Sequence, residues 1–105
     1  SQRLSQLMTF LEESPNDSFL MFAVAKEYEK LEELGNAKEY YEKLVANDPN
    51  YVGTYYHLGK LHEEEEELTK ALDIYQKGIE VAKKIKDQHA LSELMGAKMN
   101  LELEL

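Results

Sequence analysis

Cysteine is absent from this chain of 105 residues. That excludes a disulfide framework, a thiolate metal site and a thiol nucleophile, and it fits a reducing compartment. Proline occurs twice and glycine five times, too seldom to interrupt a chain rich in Glu, Lys, Leu and Ala, which are strong helix formers. Basic residues are in the minority, 12 against 21 acidic, for a net charge of −9. A surface of that sign repels phosphate backbones and anionic headgroups, so neither nucleic acid nor a membrane surface is expected as a partner. No apolar run approaches the length of a membrane span, and no basic region followed by an apolar stretch opens the sequence. These absences point to a cytoplasmic protein, although the sequence opens at Ser1 and is compatible with a removed leader or a larger parent chain. Glycine-rich phosphate loops, nucleophile elbows and Ser/His/Asp sets in a recognisable context are also missing, so no enzyme, catalytic residue or cofactor is expected.

What is present is a repeat. Hydrophobic residues make up 43% and charged residues 31%, the balance of a folded soluble domain with a modest core. Pro15 and Pro49 lie 34 residues apart, and each is followed by asparagine, Asn16 and Asn50. Laying residues 16–49 on 50–83 gives nine identities, among them Lys26/Lys60, Glu29/Glu63, Leu34/Leu68, Ala37/Ala71 and Tyr41/Tyr75. Shared composition alone gives roughly two or three. The conservative matches, such as Val24/Leu58, Ala25/Gly59 and Val45/Ile79, fall where a core needs them.

Each unit carries two apolar stripes at helical spacing. Met21, Val24, Ala25 and Tyr28 form the first stripe of unit one, and Ala37, Tyr40, Tyr41, Leu44 and Val45 the second. In the next unit the stripes are Tyr55, Leu58, Gly59 and His62, then Ala71, Ile74, Tyr75, Gly78 and Ile79. Gly35 is expected to end a helix at positive φ, with Asn36 and Glu39 as N-cap and capping-box partner of the next. Small residues (Ala25, Gly59, Ala37, Ala71) at fixed period, beside large Tyr41 and Tyr75, permit close antiparallel helix pairs.

With these residues in this order, the chain resembles the tetratricopeptide repeat, a 34-residue helix–turn–helix unit. Tyr55, Leu58, Gly59, Ala71, Tyr75 and Gly78 follow that pattern, as do Val24, Ala25, Tyr28, Ala37, Tyr41 and Pro49. Leu44, His62 and Lys83 depart from it. So do Glu32 and Glu66, which stand where the family has its turn glycine; longer first helices, with turns displaced toward Gly35 and Thr69, are the expectation. The resemblance implies an all-α fold, a right-handed superhelical stack of antiparallel helix pairs (an α-solenoid). The expected organisation is one domain, residues 1–105. It comprises a partial repeat helix (1–15), two repeats (16–49 and 50–83) and a C-terminal capping helix (84–105).

At the ends, Leu7, Phe10 and Leu11 align with Tyr41, Leu44 and Val45, so residues 2–13 read as the second helix of a truncated preceding unit. Asp87 reads as the cap of a final helix carrying Leu91, Leu94, Met95 and Met99. The alternation of Leu and Glu over 101–105 is a poor helical pattern and is expected to fray or to touch a neighbour.

The resemblance also implies a function: a non-catalytic module that binds a peptide or protein in the concave groove lined by the first helices. Its groove positions fall on Phe19, Phe22, Lys26, Glu29 and Lys30, and on Tyr56, His57, Lys60, Glu63 and Glu64. Two repeat-equivalent lysines, each a helical turn from an aromatic (Phe22, Tyr56), suit an extended segment with a carboxylate and an apolar side chain. A bland reading stands beside this one: the lysines pair with nearby glutamates, Lys26 with Glu29 for instance, on an unselective solvated face. The family's chaperone-tail clamp is not expected, because its asparagines are missing and Phe22 takes a lysine position. A homodimer through the terminal helices and Leu-rich tail is the alternative function. No metal is expected. His57 and His62 lie on different faces of a helix, Glu66 follows His62 where a zinc motif needs a second His, and His62 occupies the core place of Tyr28. The acidic run Glu63–Glu67 reads as a solvated helix end.

Overall fold

A computed structural model describes all of residues 1–105, as six α-helices and no strands. They are α1 (Gln2–Glu13), α2 (Ser18–Lys30), α3 (Leu34–Asn47), α4 (Gly53–Glu64), α5 (Leu68–Ile85) and α6 (Gln88–Glu104). The chain divides into two compact units, Ser1–Asp48 and Pro49–Leu105, and the division falls at the proline that marks the sequence repeat.

In the first unit α2 packs against both α1 and α3. The stripe read from sequence supplies the core: Met21, Val24 and Ala25 from α2, and Ala37, Tyr41 and Leu44 from α3. Residues at the helix ends and just beyond them tie the two helices together. Ser18 Oγ donates to Asp48 Oδ2 at 2.6 Å, and Asn47 Nδ2 donates to the Asn16 carbonyl at 3.3 Å. Asp17 caps α2 by accepting from the Leu20 amide at 3.0 Å, satisfying a donor that the helix itself leaves open.

In the second unit α5 packs against α4 and α6, and α4 touches α6. Tyr55, Leu58, Leu61, Ala71, Tyr75, Ile79, Leu94 and Leu101 are buried. The two small residues of this unit mark helix crossings. A methyl group on Gly59 would lie 2.2 Å from Tyr75 Cε1, and one on Gly78 would lie 2.6 Å from Tyr55 Cβ. Helices approach this closely only where a side chain is missing.

The turns differ from the sequence expectation. The first helices are not extended: α2 stops at Lys30 and α4 at Glu64. Glu32 (φ 60°) and Glu66 (φ 59°) themselves adopt the left-handed conformation usually left to glycine. The hydrogen bonds explain why. The Glu32 and Glu33 amides donate to Glu29 and Tyr28 carbonyls, and the Glu66 and Glu67 amides to Glu63 and His62 carbonyls. Each helix thus closes with the paired backbone bonds of a Schellman motif, which fixes the left-handed residue whatever its side chain. Gly35 lies in the first turn of α3 at ordinary φ, and Glu33, not Asn36, is the N-cap. Asn36 instead donates through Nδ2 to the Glu33 side chain.

The tail does not fray: α6 runs to Glu104, and of its alternating leucines Leu101 is buried. Leu94, Ala97 and Leu101 continue one buried stripe that holds the last turns on the unit. Asp87 caps α6 as read from sequence, accepting from the Ala90 amide at 2.9 Å.

A left-handed residue with a Cβ costs about 1–2 kcal/mol relative to a right-handed one, whereas glycine is indifferent apart from its larger unfolded-state entropy. Glu32→Gly and Glu66→Gly should therefore each stabilise their unit by roughly 0.5–1 kcal/mol, read as a higher urea midpoint with an unchanged m-value.

Candidate functional site

Helix α2 presents Phe19, Phe22, Ala23, Lys26 and Lys30 along one side, at the three- and four-residue spacing of a single face. With Arg3 of α1, Glu27 and Glu29 they line a groove of about 620 Å³ in the first unit. Phe19 is 67% exposed, an unusual place for a phenylalanine, while Phe22 sits edge-on to Tyr41 with ring centroids 5.9 Å apart.

The acidic members of this groove are already engaged. Glu27 is buried and faces Arg3, with Arg3 Nε 3.3 Å from its Oε1, and it accepts from Ser1 Oγ at 3.2 Å. Glu29 accepts from the Tyr41 hydroxyl at 2.6 Å. Lys26 therefore does not have Glu29 to itself, and neither Lys26 nor Lys30 enters an ion pair within the chain. Arg3 and Glu27 were not expected at the site. The signal was available in the repeat, since Glu27 stands where the second unit has the buried Leu61, and a carboxylate at a core position requires a partner.

In the second unit the corresponding residues make a different arrangement. Tyr56 and His57 rings meet edge-on at 5.6 Å, and Lys60 Nζ lies 5.6 Å from the Tyr56 ring centroid, within cation–π range. Lys60 is also 3.8 Å from Glu63 Oε2, so here the bland pairing read from sequence does occur, though it is loose and half-exposed. Glu63 in turn accepts from the buried Tyr75 hydroxyl. Glu64 ends α4 without a role in this arrangement.

The Tyr–Glu pair recurs with the repeat: Tyr41 with Glu29, and Tyr75 with Glu63. Burial pushes both phenols well above their ordinary range, and the neighbouring carboxylate, by hydrogen bond and by charge, pushes them the same way.

His62 is buried, with Nδ1 3.1 Å from Glu67 Oε1, at the repeat position of Tyr28, which is itself only half-buried. The acidic run is split between the end of α4 and the turn, with Glu67 just before α5 and bound to Lys70 at 2.9 Å. No three His, Asp or Glu side chains converge as a metal set.

Paired helices at a 34-residue period, with small residues where they cross, define a helical-repeat fold. The tetratricopeptide-repeat model matches residues 20–51 and 52–85, more than half of the chain, and the protein belongs to the tetratricopeptide repeat family. A tetratricopeptide repeat domain protein from Salinibacter ruber, solved by solution NMR, is 46% identical with a TM-score of 0.80, over 84% of this chain and 89% of that one. The TPR2B domain of yeast Sti1 in complex with pHsp70 superposes with a TM-score of 0.88 at 16% identity, covering 97% of this chain and 82% of that one. The type III secretion translocator chaperone SycD of Yersinia enterocolitica gives 0.87 at 12% identity, over 96% of this chain and 70% of that one. These two distant likenesses concern the fold alone. None of the curated proteins matches the chain. No helix is long and apolar enough to cross a membrane.

Proposed function

We propose that the groove on α2 binds an extended segment of another protein, one that carries a carboxylate close to an apolar side chain. The observation that carries this reading is the pairing of exposed Phe19 with unpaired Lys26 and Lys30 on one face, in a chain whose net charge is −9. An isolated basic strip on an acidic protein attracts an acidic segment and discriminates against basic ones. The exposed ring supplies the apolar anchor that gives such contacts most of their energy. Tyr56, His57 and Lys60 repeat the aromatic–lysine combination on α4, so the second unit offers a further contact of the same chemistry. The family's role as a protein-interaction module supports the same reading, and the Sti1 complex is an example of a ligand held by this fold.

A displayed random-peptide library selected on the whole chain tests the proposal. Enrichment should favour peptides with Asp, Glu or a free C-terminus beside Leu, Ile, Val or an aromatic. A selected peptide should bind Lys26→Glu/Lys30→Glu at least about tenfold more weakly, the loss expected when two charge contacts turn repulsive. The circular dichroism of that variant should match wild type, because both side chains are outside the core. Enrichment of basic peptides, or equal affinity for both proteins, rejects the groove. A separate Lys60→Glu variant reports whether α4 takes part.

A further inference from the structure

The last turn of α6 is built of side chains that its own unit does not use. Glu102, Leu103, Glu104 and Leu105 are all exposed, while Leu101 just before them is buried. Neither Glu102 nor Glu104 enters an ion pair within the chain. The turn holds two carboxylates and no basic residue, the charge that the carbonyl end of a helix repels. Helix α2, by contrast, finishes on Lys30, and α5 carries Lys83 and Lys84 in its last turn. The closing backbone bond of α6, from the Leu105 amide to the Glu102 carbonyl, is 3.3 Å long. A terminal turn held so weakly opens at little cost.

Helical geometry also scatters these side chains. Residues two apart on a helix point about 200° apart, so no face of α6 joins the two glutamates or the two leucines. Extended, the same four residues sort themselves. Glu102 and Glu104 share one side, about 7 Å apart, and Leu103 and Leu105 share the other.

The groove on α2 carries the complementary groups. Lys26 and Lys30 are exposed, unpaired within the chain and one helical turn apart, about 6 Å along the axis. Phe19, Phe22 and Ala23 continue the same face toward the start of the helix.

We propose that this groove binds residues 102–105 of a second copy of the chain, unwound from the end of α6 and extended along α2. The Glu102 carboxylate meets Lys30 and the Glu104 carboxylate meets Lys26, the extended spacing of one pair lying close to the helical spacing of the other. In this register the segment runs antiparallel to α2. Leu105 then falls about 10 Å beyond Glu102, level with Ala23 and beside the exposed Phe19 and the Phe22 ring. Leu101 stays buried in its own unit, so only the last turn is given up. Four residues bury little surface and must be ordered on binding, which makes the contact weak. This inference rests on the peptide-groove reading and names its ligand, an acidic segment with leucines that the chain itself carries.

Three variants test it. Lys26→Glu/Lys30→Glu reverses the groove, Glu102→Lys/Glu104→Lys reverses the segment, and the fourfold variant reverses both. All four positions are exposed, so the circular dichroism of each variant should match wild type. Sedimentation velocity should show wild type passing from monomer to larger species as concentration rises toward about 1 mM, the range of weak specific contacts. Each twofold variant should stay monomeric. The fourfold variant should associate again, because every pair of charges is restored in the opposite sense. On dilution of wild type, amide chemical shifts should move at residues 19–30 and 101–105. A wild type that stays monomeric overturns the proposal; if library peptides still bind the groove, the peptide-groove reading stands without it. A groove that takes neither the segment nor a library peptide removes both. Association that persists in either twofold variant overturns the proposal, as does a monomeric fourfold variant. So do oligomers that a saturating library-selected peptide leaves intact, since that peptide occupies the same groove.

Discussion

Gly59→Ala should lower the stability of the second unit by about 2–3 kcal/mol, although it adds a single methyl group in the middle of a helix. In an exposed helix the same change is stabilising by close to 1 kcal/mol, because alanine loses less entropy on folding. Here the new Cβ would lie 2.2 Å from Tyr75 Cε1 and under 3 Å from two further atoms of the ring. The ring has nowhere to go. Tyr75 is fully buried and its hydroxyl is tied to Glu63 on α4, the helix that carries Gly59. Relief requires α4 and α5 to separate, which opens the whole contact between them. The expected loss corresponds to a melting temperature lower by roughly 10–20 °C for a unit of this size, read by circular dichroism or calorimetry. Gly96→Ala is the internal control. Nothing lies within 4 Å of the added methyl, so the chain should gain up to about 1 kcal/mol. If the two substitutions shift the midpoint by similar amounts, close packing at Gly59 is not what the small residue is for.

That contrast shows which parts of the molecule were readable in advance. Gly59, Ala25, Ala37 and Ala71 could be assigned to helix contacts because the same place recurs with the same size of side chain, and all four are buried. Periodicity reports packing well. It reports backbone conformation poorly, which is why the turns at Glu32 and Glu66 were misplaced. Glutamate gives no warning of positive φ, and the pair of backbone hydrogen bonds that imposes it carries no side-chain signature. The Leu-Glu alternation at the C-terminus misled for a related reason. Only Leu101 joins the buried stripe, while Leu103 and Leu105 are 79% and 69% exposed, so the apparent period of two comes from residues that pack against nothing.

The candidate site divides along the same line. Phe19, Phe22, Lys26 and Lys30 were grouped because helical spacing puts them on one face, and in the first unit they do line one groove. Arg3 and Glu27 escaped because their pairing spans two helices, and only the mismatch of Glu27 with Leu61 hinted at it.

Alkaline solution should unfold this protein more steeply than its composition implies. Tyr41 and Tyr75 are fully buried, and each donates its proton to a carboxylate, Glu29 or Glu63. A phenolate at either place would lose that hydrogen bond, stand next to a negative charge and have no water to solvate it. Both phenols are therefore held well above the usual tyrosine range in the folded chain, whereas the unfolded chain releases these protons near pH 10. Below that pH the two states bind the same number of protons at these groups, and their contribution to stability is fully present. Above it the folded state holds one more proton per unit than the unfolded state, so stability falls as pH rises, by about 1.4 kcal/mol per pH unit in each unit. Urea midpoints measured from about pH 9 to about pH 11.5 should show this slope, where ordinary exposed tyrosines contribute none. Tyr75→Phe should remove the slope from the second unit and Tyr41→Phe from the first, each at a cost of about 1 kcal/mol near neutral pH for the lost hydrogen bond. A slope that persists in the phenylalanine variants would assign the alkaline transition to other groups and leave the Tyr–Glu pairs as packing alone.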